Sequence, residues 1–189
     1  MNTIKSVVTA ALLLAVSNLA LADQTAELAE LGKSTFPEWL NNAALVNAVK
    51  AQNAKNANLT EAEIITLDKQ WRAETSASDQ PMIKGVLSNE LSTYLSEVKD
   101  NAAGVYTEIF VMDNKGLNVG QSDATSDYWQ GDEAKWQRTY LMGADSIHVG
   151  EIELDESSQQ FQSQVSMPVV DSAGQVIGAV TVGINVDAM

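Results

Sequence analysis

Aromatic rings and charged side chains crowd into one short stretch of this chain, residues 128–140. The side chains that could contact a ligand there are Tyr128, Trp129, Lys135, Trp136, Arg138 and Tyr140. Small-molecule pockets are mostly apolar and aromatic, with a few polar groups that fix the orientation of the ligand. We therefore interpret this stretch as a binding site. The alternative is that Trp129 and Trp136 only close one end of the folded core.

Catalytic chemistry has few residues to use in this sequence. His148 is the only histidine, and there is no cysteine. A nucleophile–histidine site would have to be built around His148, for which packing within a strand is the simpler role. A metal site made of several imidazoles or thiolates is impossible within one chain. We expect no catalytic residues and no cofactor, with a hydrolase that uses the acids Glu108, Asp127 and Asp132 as an alternative.

Acidic residues dominate the composition. The formal net charge is −14 and the pI is near 4.2, which argues against nucleic acid and anionic membrane surfaces as partners. A hydrophobic content of 45% indicates a folded core instead of a disordered acidic tail. The acidic loop 123–133 could collect calcium through oxygen ligands, but its spacing matches no EF-hand and the acids could simply be solvated. We predict no metal site.

The first 22 residues have the pattern of an export signal. Lys5 supplies a positive start, residues 7–16 are apolar, and a small-x-small sequence ends at Ala22. A retained membrane anchor is the competing interpretation, but the apolar run is short for a span of ~20 residues. We expect a signal peptide over 1–22, a periplasmic product and no later membrane span.

Residues 23–104 predict helices that belong to the same domain as the rest of the chain. Apolar residues recur at helical spacing from Leu28 to Val49, and Pro37 is expected to interrupt this pattern and begin a second segment. Residues 60–63 have the sequence of a capping box. The long N-terminal helix could lie beside a sheet or pair with its copy in a homodimer.

Residues 105–189 change to a period of two, which predicts strands. We predict five strands, at 105–112, 117–121, 147–154, 160–170 and 176–186. The fold class is therefore α+β, with N-terminal helices followed by a five-stranded antiparallel sheet. Glu108 is either a buried carboxylate that faces a ligand or an exposed residue on an edge strand. Gly183 belongs to a face of small residues that lets a helix or a ligand approach the last strand.

Two segments of this half resemble the Cache or PDC domains, which are PAS-like extracytoplasmic sensors. Residues 108–116 look like the first hairpin of that family, and 167–184 are similar to its closing hairpin. The resemblance implies Tyr128, Trp129 and Trp136 as walls of a ligand site, with Lys135 or Arg138 as the anion partner. Many amino-acid-binding members carry an Asp in the last strand for the ligand ammonium. The aligned residue here is Gly183, which favours an organic acid or an uncharged ligand.

The resemblance implies a single-Cache, periplasmic binding protein of the sensor type. Family members usually continue into a transmembrane helix and an output module, whereas this sequence stops at Met189. We therefore expect a free-standing form that passes its signal to a separate partner, such as a membrane-bound receptor. The alternatives are an interaction module that binds no small ligand and the acidic hydrolase.

Overall fold

Helices form the first part of the fold in the computed structural model, which describes residues 24–155 and 160–189. The predicted signal peptide at 1–22 lies outside the described residues. The helices are α1 (24–40), α2 (Ala43–Lys55), α3 (Glu61–Glu74), α4 (Pro81–Leu87) and α5 (Glu90–Asn101). Within the described part of the chain, no helix is both long enough and apolar enough to cross a membrane.

Side-chain caps set the starts of three helices. Thr60 and Glu63 form the predicted capping box of α3, in which each side chain bonds the backbone amide of the other residue. Asn42 and Asn89 cap α2 and α5 through their side-chain oxygens. The predicted break at Pro37 is wrong, because α1 continues to residue 40. Phe36 is fully buried beside it, so core packing offsets the amide bond that proline cannot make.

The second part of the fold is one antiparallel sheet, as predicted. Its strands are β1 (Tyr106–Met112), β2 (Asn118–Gln121), β3 (His148–Val149), β4 (Glu153–Asp155), β5 (Gln160–Val170) and β6 (Val176–Asn185). The order across the sheet is β2-β1-β6-β5-β3, and β4 also pairs with β5. A crossover between β2 and β3 contains the short helix α6 (Ala134–Gln137) and a 3-10 turn at Tyr140–Met142.

The sheet has six strands instead of the five predicted, because the expected strand at 147–154 is divided. Its two halves, β3 and β4, both pair with β5. Between them the Ser163 hydroxyl donates a hydrogen bond to the Gly150 carbonyl at 2.9 Å. The register against β5 changes by one residue between β3 and β4, so the ladder is not continuous. The α+β class and the order of helices before strands are confirmed.

The two faces of the sheet differ. One face packs its aliphatic residues against α1, α2 and α5 to form the main core, which includes Leu28, Leu45, Leu95, Val111, Val165 and Val182. On the opposite face, the crossover covers Phe110, Met112 and Ala179 with the rings of Trp136 and Tyr140. The rest of that opposite face carries Glu108 and Gln164, which pair with Gly183 from its two sides. This part of the face borders a cleft.

Candidate functional site

A cleft with a volume of about 750 Å³ lies on the open half of the sheet. Strands β1, β5 and β6 form its floor, the loop 123–126 forms one wall, and Lys135 of α6 closes one side. The side chains that define it chemically are Thr107, Glu108, Phe110, Asp123, Thr125, Gln130, Lys135, Gln162, Gln164 and Asn185. Most of them are polar, so the cleft suits a polar guest.

Glu108 lies on the floor of this cleft. It is directly opposite Gly183 in the pairing of β1 with β6, and Gln164 of β5 is opposite Gly183 on the other side. The Gln164 amide donates a hydrogen bond to the Glu108 carboxylate at 2.8 Å. Glu108 is half-buried, and β1 lies between β2 and β6 in the sheet. The pairing of β1 with β2 begins at Phe110, so among the described strands only β6 pairs with β1 at Glu108, and both interpretations of this residue stay predictions.

Gly183 provides the space that the Glu108 side chain occupies. A Cβ atom at position 183 would meet the Thr107 hydroxyl and would lie 2.8 Å from Glu108 Cγ. The register of β1 against β6 shifts between Tyr106 and Glu108, which is a bulge that brings both Thr107 and Glu108 close to Gly183. Such bulges often re-aim a side chain next to a binding site.

Lys135 is the basic residue of the cleft. Its ammonium pairs with the Glu133 carboxylate at 3.0 Å, and the Lys135 side chain is only 16% exposed. The ammonium also lies 5.3 Å from the centre of the Phe110 ring, which is within the range of a cation–π contact. Lys135 also lines a neighbouring cavity of about 310 Å³ together with Glu133, so it stands between two cavities.

The loop wall is tied down by ion pairs and hydrogen bonds. The Lys99 ammonium contacts both carboxylate oxygens of Asp123, at 2.7 and 2.6 Å. The Ser122 hydroxyl donates to Asp123 at 2.7 Å and accepts the Ile109 amide at 2.8 Å. The wall is therefore attached both to α5 and to the edge of β1.

Tyr128 and Trp129, predicted as ligand walls, lie in a second core cluster with Trp71 of α3. Tyr128 is buried and stacks on Trp71 with 5.4 Å between ring centres. Burial, together with the nearby charge of Asp113, raises the pKa of Tyr128 to about 12. The Trp129 indole donates a hydrogen bond to the Lys115 carbonyl at 2.8 Å. Neither ring is among the described residues that line the 750 Å³ cleft, and their contact with a ligand stays a prediction.

Trp136 and Tyr140 stack on each other, with 4.8 Å between ring centres. The Trp136 indole donates to the Asp113 carbonyl at 3.1 Å. Burial raises the pKa of Tyr140, and the charge of Asp113 adds to the effect. Arg138 is exposed and does not line the cleft as its described residues define it. The structure thus brings Lys135 and Glu108 into one cleft. The rings of Trp136 and Tyr140 instead pack α6 and the turn after it against the sheet.

His148 lies in β3 opposite Ser166, as the packing role expected from the sequence requires. Partial burial lowers its pKa, and the positive charges of Arg138 and Lys135 lower it further. These effects favour the neutral imidazole of His148 over its protonated form.

The amides of β5 are functional candidates that the sequence interpretation missed. Gln160, Gln162 and Gln164 occupy every second position of the strand, and all three line the cleft. That alternation is readable in the sequence, because Phe161 and Ser163 separate the three glutamines. An amide stripe on a predicted strand was therefore a usable signal.

The acids of the loop 123–133 are divided among different cations. Asp123 pairs with Lys99, Asp127 pairs with Arg72 at 2.8 Å, and Glu133 pairs with Lys135. Within residues 24–155 and 160–189, no group of three or more His, Cys, Asp or Glu side chains is placed to hold a metal ion.

No protein-family model matches this sequence, and no curated protein matches it. Similar solved structures include the sensor domain of the V. cholerae histidine kinase DctB, which is 19% identical. That match has a TM-score of 0.38 and covers 77% of this chain and 57% of the other. The ligand-binding domain of the Pseudomonas aeruginosa chemoreceptor PctC, in complex with GABA, is 17% identical. It has a TM-score of 0.42, with coverages of 75% and 57%.

A further similar structure is the sensory domain of the Campylobacter jejuni chemoreceptor Tlp3 with isoleucine bound. It is 16% identical with a TM-score of 0.37, and the match covers 90% of this chain and 61% of the other. The chain therefore spans less than two thirds of the length of each of these domains. All three are sensor or ligand-binding domains of kinases and chemoreceptors.

Proposed function

We propose that this chain is a small-molecule-binding domain of the sensor type, and that its ligand occupies the cleft between Glu108 and Lys135. The observation that carries the proposal is the open, polar cleft on a half of the sheet that the helices among the described residues leave uncovered. Its volume of about 750 Å³ lies within the range of ~300–1,000 Å³ that is usual for ligand pockets. Its floor consists of strand residues, which hold their positions well before a ligand arrives.

The lining chemistry supports a small polar metabolite that carries a carboxylate. The amides of Gln164 and Asn185 can both donate and accept hydrogen bonds, while Phe110 offers an apolar surface. Lys135 is the anion partner that we propose for the organic acid expected from the sequence. Arg138, the other candidate, is exposed away from the cleft.

A ligand in this position would connect the sheet to the crossover. Lys135 belongs to α6, whereas Gln164 belongs to β5, so one molecule that contacts both favours conformations in which the two approach. Periplasmic localisation and transfer of the signal to a membrane-bound partner are part of the same proposal. Pull-down from periplasm with and without ligand tests the partner, and equal capture in both states argues against it.

The homodimer through α1 also stays a prediction. Leu28, Phe36 and Leu40 of this helix are buried against the rest of the chain, so a dimer would use its remaining faces. Sedimentation velocity of the mature protein tests this, and a monomer at all concentrations would contradict it.

Thermal-shift screening with organic acids, including acetate, butanoate and succinate, tests the proposed function. A ligand at 100 times its dissociation constant adds ~2.7 kcal/mol of stability. We expect Lys135→Gln to abolish the shift and the matched exposed variant Lys84→Gln to retain it. If amino acids are added to the screen and still no compound shifts the protein, the interaction module without a ligand becomes the better explanation.

The hydrolase alternative receives less support from the positions of its acids. Glu108 lines the cleft, but Asp127 is paired with Arg72 and Asp132 is exposed. An acid–base mechanism needs its groups within hydrogen-bond reach of one substrate. Turnover that disappears in Glu108→Gln would restore this alternative.

A further inference from the structure

A second cavity lies in the helical half of the molecule, away from the cleft. Its volume is about 580 Å³, within the range of ~300–1,000 Å³ that is usual for ligand pockets. Residues of α2, α3 and α4 line it, together with Val119 of β2 and Tyr128. We call the space bordered by Leu59, Leu67, Met82, Gly85, Val86 and Tyr128 the helical cavity.

We propose that the helical cavity is a second binding site, for a small uncharged molecule that is mostly apolar and carries one N–H or O–H donor, such as a phenol or an indole. This site is independent of the cleft between Glu108 and Lys135. Among the described residues, none lines both spaces.

The apolar walls carry the first step. Leu59, Leu67, Met82 and Val86 line the helical cavity and pack against the core cluster that contains Tyr128. All four of these aliphatic side chains are only half-buried. An apolar guest would remove the rest of their surface from water, which favours binding.

Gly85 carries the second step. It lies inside α4 with helical backbone geometry, and a Cβ at this position would meet no atom within 4 Å. Glycine weakens a helix relative to alanine, so neither the backbone nor the packing of the described residues accounts for it here. Gly85 is exposed and lines the helical cavity, so the missing side chain keeps the mouth of the cavity open.

Two amides of α2 and the residue that caps its end carry the third step, because they favour a ligand that donates a hydrogen bond. The side-chain nitrogens of Gln52 and Asn56 donate to the Asp113 carboxylate at 3.1 and 2.9 Å. Since these nitrogens are engaged, the groups that the two side chains can offer to a ligand are their carbonyl oxygens. An N–H or O–H group of the ligand complements such oxygens.

The charges near the helical cavity argue against an ionised ligand. Lys55 is the one charged side chain among the described residues that line it, and it is exposed to water. A cationic ligand would be repelled by Lys55. A carboxylate ligand that reached Gln52 and Asn56 would be repelled by the buried Asp113 that both amides contact.

The experiment uses N-phenyl-1-naphthylamine, an uncharged aromatic probe with one N–H group, whose fluorescence rises in apolar surroundings. We expect a saturable rise with the wild-type protein, and displacement of the probe by phenol and by indole. Benzoate and indole-3-carboxylate have the same rings with a carboxylate. Each should compete at least tenfold more weakly than its uncharged counterpart.

Two variants change the helical cavity itself. Gly85→Leu places a side chain in the open space at the mouth and should weaken probe binding at least tenfold. Met82→Gln keeps a similar shape but makes one wall polar, and it should weaken probe binding at least threefold. Ala62→Leu on α3 is the matched control, because it adds an exposed leucine outside the lining and should bind the probe like the wild type.

Gly85→Ala tests whether the fold itself requires this glycine. Because alanine favours a helix, the urea midpoint of this variant should rise, and the probe should bind within threefold of the wild type, since one methyl group leaves most of the space open. A lower midpoint would show that the glycine serves the fold, and it would overturn the inference.

Three other results would also overturn the inference and leave the proposed function of the cleft intact. The first is that the probe does not bind, and the second is that Gly85→Leu and Met82→Gln both bind it like the wild type. The third is that benzoate competes as well as phenol. Circular dichroism of each variant confirms that the fold is intact.

Discussion

The Asp68 carboxylate accepts a hydrogen bond from the backbone amide of Tyr128, 60 residues further along the chain, at 3.0 Å. The same oxygen accepts the Trp129 amide at 3.0 Å. The other carboxylate oxygen of Asp68 accepts a hydrogen bond from the Arg72 guanidinium, which also contacts Asp127 at 2.8 Å. One buried acid on α3 therefore orders the backbone of the connection between the loop wall and α6.

Removal of this acid should destabilise the protein strongly. Asp68→Ala leaves two amide groups without their acceptor and removes the partner of Arg72, and we expect a loss of about 3 kcal/mol in the free energy of unfolding. Urea denaturation measures the loss. The control is Asp79→Ala, whose exposed carboxylate lies 3.6 Å from Lys84 and should contribute less than about 0.5 kcal/mol. Equal losses in the two variants would contradict the role of Asp68.

Two glycines with the same backbone conformation should respond differently to alanine. Gly116 and Gly174 have φ angles of 82° and 79°, so a Cβ is strained at either position. At Gly174 the Cβ meets nothing within 4 Å, and we expect a cost of about 1 kcal/mol from the left-handed conformation alone.

At Gly116 the Cβ would lie 2.5 Å from the backbone of Gly131, which cannot move without shifting the start of the crossover. Gly116→Ala should therefore cost about 3 kcal/mol, because the overpacking adds to the strain. Urea denaturation of both variants measures the difference. Equal costs would show that the two turns do not pack against each other as the structure indicates.

The parts of the fold that local chemistry determines were predictable from the sequence. The capping box of α3 and the change from helical to strand periodicity needed no information from distant residues. The prediction of a helix break at Pro37 failed because burial of Phe36 in the core favours a continuous helix there. The division of the third strand was not predictable for a similar reason, because it depends on a change of register against β5, which is distant in sequence from any local signal.

The candidate site was less predictable, because rings and carboxylates have several possible partners. The indoles of Trp129 and Trp136 donate to carbonyls of the β1–β2 turn, at Lys115 and Asp113. Nothing local in the sequence indicates these bonds. The position of Glu108 beside Gly183 likewise depends on strand register, which a bulge at Thr107 sets. Lys135 was predicted from its residue type and its neighbours, and it lines the cleft.

The Lys99–Asp123 ion pair should control the mobility of the cleft wall more than global stability. Lys99 is a half-buried residue of α5, and it contacts both oxygens of Asp123. We expect Lys99→Ala to lower the free energy of unfolding by about 1 kcal/mol or less. Hydrogen exchange at residues 122–125 should become faster, because this contact ties the loop to α5.

The matched variant for this test is Lys33→Ala. Lys33 forms an exposed pair with Glu30 one turn away on the same helix, far in sequence from the loop. Its exchange rates at 122–125 should equal those of the wild type. Unchanged exchange in Lys99→Ala would mean that Ser122 and the backbone alone hold the wall.

The largely buried side chain of Tyr128 should make the protein less stable at alkaline pH. Burial raises its pKa to about 12 in the folded chain, whereas the unfolded chain titrates near its ordinary value of 10. Between these values the folded state keeps a proton that the unfolded state has lost, so stability is complete below about pH 10 and falls as the pH rises toward 12. Between about pH 9 and about pH 11.5 the loss from this group is about 2 kcal/mol. Urea denaturation of wild type and Tyr128→Phe at both pH values isolates the effect, because all other groups are the same in the two proteins. A difference between the two proteins that does not change with pH would show that the Tyr128 hydroxyl is reached by water.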